Sequence, residues 1–252
     1  MKIMLAGYNG KMGRAVIEAA HECHDLEIAA GTEITPPATV LPFPVFSKPS
    51  DYSGGLDVIL DFTYHSETKI YLEYAKERKV PVIVASTGHT PEELEFIKSA
   101  SEKVAVFKSA NMSIGINLLA ELAKKAAVIL KDDFDIEIIE KHHNKKLDAP
   151  SGTALLLADE ISSVLDDEYN YIYDRHNAKA PRSKREIGLH AIRGGTIIGE
   201  HEIIFAGPNE LITLSHSAQS RGMFAAGALA AARFIIGKPC GLYGMSDMLK
   251  LQ

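Results

Sequence analysis

The chain has 252 residues, 46% of them hydrophobic and 24% charged, with a formal net charge of −6. That is enough chain to bury one large core or two smaller ones, and too apolar a composition for long disorder. The acidic balance argues against a general nucleic-acid or membrane-surface binder, while allowing a local basic pocket for a small anion.

Residues 2–6 (KIMLA) form a short apolar run that stops at glycine, and 12–20 (MGRAVIEAA) follow with helical spacing. That order predicts a strand, a turn and a helix. One lysine ahead of so short a run is unlike a signal peptide. The turn is Gly7-Tyr8-Asn9-Gly10-Lys11-Met12-Gly13, where backbone N–H groups and a helix N-terminus can hold a pyrophosphate. Its spacing is G-x-x-G-x-x-G, and the first glycine of the dinucleotide fingerprint would fall at Tyr8, so the motif alone carries little. Glu33 adds weight: it ends a second strand pattern at 26–32, where an acid accepts hydrogen bonds from an adenosine ribose. With Ile34 in place of a neighbouring cation, the pair leans toward NADH, because a carboxylate repels a ribose 2′-phosphate. Lys11 is either solvated or within reach of such a phosphate, so NADPH stays open as well.

Residues 35–50 hold five of the eleven prolines and predict a connecting loop inside the first domain. Apolar runs at 57–62, 80–86 and 104–109 alternate with helical segments at 66–77 and 91–100. Such alternation implies a parallel sheet covered on both faces, an α/β, doubly wound fold of Rossmann type. After a helix at 115–130 the pattern changes. Segments 134–141, 186–193, 196–205 and 210–217 read as strands, the last three joined by GG and GPN turns that favour antiparallel pairing. An α+β substrate-binding domain with an open mixed sheet is expected there, with one helix at 153–165 and a polar, basic loop at 169–185. A final Ala-rich helix at 223–236 is apolar nearly all round and is expected to return to the first domain. The expected boundaries are 1–112 with 221–252 for dinucleotide binding, and 113–220 for substrate binding and oligomerisation. The longest apolar stretch, 224–237, is too short to span a bilayer and contains Arg233. Cys23 and Cys240 are the only cysteines, far apart, which fits a reducing compartment and a soluble, cytoplasmic protein.

The segment 140–154, EKHHNKKLDAPSGTA, concentrates the remaining chemistry. Adjacent His142 and His143 lack the spacing that brings two imidazoles to one metal, and the nearby lysines would repel a divalent cation, so no metal site is expected. His142 and Lys146 differ by four positions and would share a face on a continuing strand or on a helix, which makes them natural partners in proton transfer. A basic, solvated strand end is the plainer alternative. Pro150, Ser151, Gly152 and Thr153 precede an apolar-periodic run and mark a helix start, whose open N–H groups suit a carboxylate. Asp148 reads as an internal partner for this turn or for a lysine.

The stretch 137–154, EIIEKHHNKKLDAPSGTA, closely resembles the signature of the 4-hydroxy-tetrahydrodipicolinate (dihydrodipicolinate) reductase family. The GYNGKMGR turn, DVILDFT, VIVASTG, SANMSIGINLL and GLYGMSDML extend the resemblance over nearly the whole chain. The departures are the proline-rich segment after Glu33 and the missing basic residue at Ile34. The resemblance implies hydride transfer from NADH or NADPH to a small cyclic dicarboxylate in lysine and diaminopimelate synthesis. It implies His142 and Lys146 as the proton-handling pair, His143 as a substrate contact, and Gly152 with Thr153, beside Ser151, as a carboxylate site. For the cofactor it implies Gly7 to Met12, Glu33, Ala85, Ser86 and Thr87, and Ser109, Ala110, Asn111 and Met112. It further implies a homotetramer assembled through the second domain's sheet. Another nicotinamide-dependent reductase of an amino-acid-derived substrate, or a cofactor-sensing regulator without turnover, are the alternatives; a sensor needs no proton donor.

Overall fold

The computed structural model describes residues 1–33, 41–166, 168–176 and 179–250. The chain divides into two units, Met1–Ile114 with Arg221–Gln252, and Gly115–Ser220. In chain order it begins with β1 (Lys2–Ala6), α1 (Lys11–His21), β2 (Glu27–Thr32), β3 (Val45–Phe46), β4 (Val58–Asp61) and α2 (Thr68–Arg78). There follow β5 (Val82–Val84), α3 (Pro91–Ser101), β6 (Ala105–Lys108), α4 (Ile114–Leu130), β7 (Asp135–His142) and α5 (Gly152–Ser162). The last elements are β8 (Asn170–Ile172), β9 (Glu186–Arg193), β10 (Glu200–Ala206), β11 (Leu211–Ser217), α6 (Gly222–Ile235), β12 (Gly241–Tyr243) and α7 (Met245–Leu249).

The first unit is built on a seven-stranded sheet of order β12-β6-β5-β4-β1-β2-β3, parallel throughout. Its central strands are continuous apolar runs because both faces are covered. Ile3, Leu5, Val16, Phe107 and Leu229 pack on the side of α1 and α6, and Met4, Ile59, Leu72, Val82 and Ile97 on the side of α2 and α3. The alanines of α6 permit a close approach: a Cβ on Gly227 would stand 1.8 Å from the Met112 carbonyl oxygen, so only glycine fits there.

Some elements escape periodicity. β3 and β12 have two and three residues, too few to show a period, and β3 extends the sheet's edge inside the segment expected to be only a loop. Pro44 flanks β3 and its carbonyl accepts from Gly31 N–H at 2.9 Å, as suits a proline at a sheet edge. Ile34 and residues 35–40 of the proline-rich loop lie outside the described residues.

The second unit has a five-stranded sheet of order β11-β10-β7-β9-β8. β10 pairs antiparallel with β7 and β11, as the GPN turn suggests for the β10–β11 hairpin. The GG turn misleads: β9 does not pair with β10 but runs parallel to β7 and to β8. β7 alternates buried and half-buried residues along its whole length and takes the central place, so the chain after β9 passes the end of β7 to reach its other edge. Gly194 N–H donates to the His142 carbonyl at 2.9 Å along that passage. β8 also occupies part of the expected basic loop. α4 and α5 cover one face of this sheet around Ile138, Leu157, Ile187 and Phe205. Among the described residues no helix is long and apolar enough to cross a membrane.

Candidate functional site

In a parallel sheet every strand delivers its C-terminal end to the same edge. Lys108, Val84, Asp61, Ala6 and Thr32 are register partners across β6, β5, β4, β1 and β2. The residues that follow them therefore line one edge: Ser109 to Met112, Ala85 to Thr87, the glycine turn and Glu33. Every candidate assigned to a dinucleotide is gathered there.

The turn is tight. Gly7 has φ +75°, and a Cβ on it would lie 2.8 Å from the Phe62 carbonyl oxygen; one on Gly13 would lie 2.3 Å from that of Gly7. Gly7 N–H donates to Thr32 at 3.0 Å and Gly10 N–H to Gly7 at 3.1 Å. Gly10 is the N-cap of α1 and contributes no side-chain acceptor to the helix's first N–H groups, so the turn fits an anionic diphosphate. The Tyr8 ring turns inward, 2% exposed and edge-on to Phe43, so any share it has in ligand binding falls to its backbone. Met112 is buried too, and Asn111 braces its own loop, its Oδ1 accepting from Ser113 N–H at 2.9 Å. Gly10, Lys11, Thr87 and Ala110 are exposed.

Sequence reasoning missed a buried acid at this edge. Burial pushes the Asp61 carboxyl up, against hydrogen bonds from Thr63 N–H, Thr63 Oγ1 and Thr68 Oγ1. Thr68 Oγ1 is also 3.0 Å from Ser86 Oγ, tying the ends of β4 and β5 together. Glu67 is pushed up by burial and by the charges of Glu33 and Asp61, so the end of β2 looks onto an acidic neighbourhood.

The remaining candidates lie in the second unit. The alternation of β7 puts Ile136, Ile138, Glu140 and His142 on one face, apolar first and polar at the end. β7 stops at His142, and a turn closed by Lys146 N–H donating to His143 at 3.1 Å follows. His142 and Lys146 are thus related by neither strand nor helix, contrary to the spacing argument; the lysine follows the strand in a turn. Lys146 Nζ lies 2.9 Å from Asp148 Oδ2, and that hydrogen bond holds the Asp148 carboxyl below its usual range. His143 is half-buried and its Nδ1 has no partner.

Ser151 caps α5, its Oγ accepting from Ala154 N–H at 3.2 Å and lying 3.0 Å from His201 Nε2. With its side chain buried and engaged, Ser151 supports the helix start. Gly152 is exposed, with nothing within 4 Å of where a Cβ would be.

The residue that binds these parts is Glu140, which is 0% exposed. Its Oε2 lies 2.6 Å from His142 Nδ1 and accepts from Arg193 at 2.7 Å. Its Oε1 accepts from Ser151 N–H at 2.9 Å and from Arg193 at 2.6 Å. Burial alone would push this carboxyl up, but Arg193, His142 and Ser151 together hold it below the usual range. The His201 ring stands edge-on to His142, centroids 5.3 Å apart. Glu140, Arg193 and His201 were not singled out from sequence; the alternation of β7 with a Glu at a core-facing position was the available signal for the first.

Both halves of the chain match known families. Residues 1–112 match the model of the dihydrodipicolinate reductase N-terminus, and 115–249 that of its C-terminus. A 4-hydroxy-tetrahydrodipicolinate reductase of Caldanaerobacter subterraneus subsp. tengcongensis is 49% identical, covering 99% of this chain and 98% of its own. One from Clostridium tetani is also 49% identical, over 99% and 97%. A dipicolinate-bound dihydrodipicolinate reductase structure from Paenisporosarcina sp. TG-14 superposes with TM-score 0.80 at 25% identity, covering 98% of both chains.

His201 makes the site sensitive to acid. Burial, with His142 beside it, pushes its imidazole down to about 4, whereas an unfolded chain protonates it near 6.5. The unfolded state therefore binds the extra proton between those values, and folding stability is lost as pH falls through that window, by about 2 to 3 kcal/mol at pH 4.5. His201→Gln, which cannot titrate, is expected to lose less stability than the parent between pH 7 and 4.5 in urea unfolding. Equal losses would mean that His201 is solvated or already charged.

Proposed function

The chain belongs to the dihydrodipicolinate reductase family, and we propose that it reduces 4-hydroxy-tetrahydrodipicolinate to tetrahydrodipicolinate with a nicotinamide cofactor, in lysine and diaminopimelate synthesis. One observation carries the reading: His142 and the start of α5 share the Glu140 carboxylate, and Arg193, which holds that carboxylate, also donates to the backbone carbonyl of Asp148, the ion-pair partner of Lys146.

The cofactor would be held by Gly7 to Met12 at its diphosphate, by Glu33 at a ribose, and by Ala85 to Thr87 and Ser109 to Met112 near the nicotinamide. Bound there, it supplies the hydride. Glu33 amid Glu67 and Asp61 disfavours a 2′-phosphate, which supports a preference for NADH. In the second unit, exposed Gly152 and the adjoining Thr153 would present N–H groups to one substrate carboxylate, with His143 as a further contact. Reduction of a conjugated C=N or C=C system builds negative charge on the substrate. The Lys146 ammonium and a His142 imidazolium, protonated at Nε2 as well as Nδ1, would stabilise that charge, and one of them would then deliver the proton. A homotetramer would form through the second unit's open sheet face, where Ile192 is 47% exposed and Ile139 and Ile204 are half-buried.

The purified protein should oxidise NADH when given freshly generated substrate, and Lys146→Ala should lower kcat by about two to four orders of magnitude. No oxidation by the parent would remove the function, and an effect confined to KM would make Lys146 a binding residue. Glu33→Ala should weaken NADH more than NADPH; equal loss for the two would remove the ribose assignment. Sedimentation equilibrium should give four chains per particle, and a monomer would discard the tetramer.

A further inference from the structure

A carboxylate taken fully out of water is costly unless it is neutralised and hydrogen-bonded. Arg193 meets that demand at Glu140 with one N–H to each oxygen, at 2.7 and 2.6 Å. A simple structural ion pair would stop there. Glu140 instead spends its remaining acceptor positions on two groups of the site, His142 Nδ1 and Ser151 N–H. Replacing the pair by apolar side chains could fill the same space, so the volume alone does not call for a charge.

An ionised carboxylate only accepts hydrogen bonds. The proton between Glu140 and His142 therefore sits on Nδ1, whether the imidazole is neutral or charged, and Nε2 is left as the ring's exchangeable site. The surroundings keep that nitrogen clear. A Cβ on Gly199 would stand 3.0 Å from His142 Nε2 and 3.4 Å from Cδ2, so glycine there leaves the nitrogen its space. His201 holds the ring edge-on from another side.

We propose that Glu140 is a positioning residue for the reaction: it fixes the Nδ1–H tautomer of His142, aims Nε2 as the proton-exchanging atom, and ties that ring to the start of α5, with Arg193 as its buried counter-ion. This rests on the reading of His142 as a proton-handling group. Through Glu140, a shift of the helix start that holds the substrate carboxylate is felt at the histidine, and the reverse.

The test combines ring 15N chemical shifts of His142 with steady-state kinetics, on the full-length parent and on Glu140→Gln. In the parent at a pH where His142 is neutral, Nδ1 should carry the proton and Nε2 should be bare. In Glu140→Gln the amide cannot accept from His142 and from its other donors at once. A mixture of tautomers is expected, with kcat reduced roughly 10- to 100-fold and the larger part of the effect in kcat and not KM. A parent His142 protonated at Nε2 overturns the proposal without any variant, which covers the case in which Glu140→Gln fails to fold. Unchanged tautomer populations in a folded Glu140→Gln overturn it as well. A changed tautomer with unchanged kcat would uphold the positioning and overturn the proton role of His142, so the two failures are distinct.

Discussion

A buried carboxylate must find a partner for each oxygen, and in the second unit that requirement at Glu140 organises everything near it. Arg193 reaches it from β9 because β9 lies parallel beside β7, with His142 and Arg193 as register partners. Ser151 reaches it because the chain between β7 and α5 folds back onto the strand it has just left. Had β9 paired with β10 as a hairpin, its guanidinium would not stand beside β7. The unexpected sheet order is thus also what supplies the counter-ion.

The first unit rests on a different constraint, the alignment of parallel strands. Five strand ends come level, so residues more than a hundred positions apart along the chain, from Gly7 to Met112, form one edge without any side chain reaching far. Tight closure is the condition: Gly7 and Gly13 leave no room for a Cβ, and the buried Tyr8 ring packs against Gly31 of β2. This edge therefore offers a ligand chiefly backbone groups, whereas the second unit offers side chains. A diphosphate is well served by N–H groups; a proton transfer needs titratable atoms.

The strands and helices were legible where period and length agree, as in the run KIMLA and the helix 91–100, which begins with a Thr90–Glu93 capping box. The order of strands in the second sheet was not. Turn chemistry reports how sharply the chain reverses and is silent on which strand slips between. For the site, residue types at close spacing were visible, so His142, Lys146 and the Ser-Gly-Thr step stood out. Arg193 and His201 lie far along the chain and meet Glu140 and Ser151 only through strand pairing, which local spacing cannot encode. Tyr8, Met112 and Ser151 show the converse: each lies in a segment that sequence alone marks as a candidate for binding, yet its side chain is buried.

Charge is distributed between the units in a way the net value of −6 conceals. Glu33, Asp61 and Glu67 make one neighbourhood acidic, suited to ribose hydroxyls. In the other, Arg193 is consumed by Glu140 and cannot serve an anion as well. Lys146 is different. Its partner Asp148 has a side chain 59% exposed, while that of Lys146 is only 20% exposed. An ion pair open to water on one side contributes little, roughly 0 to 1 kcal/mol. An anionic ligand can therefore displace Asp148 from Lys146 at small cost, whereas nothing of comparable charge could displace Glu140 from Arg193. The site keeps one cation fixed to hold its geometry and leaves the other free to change partners.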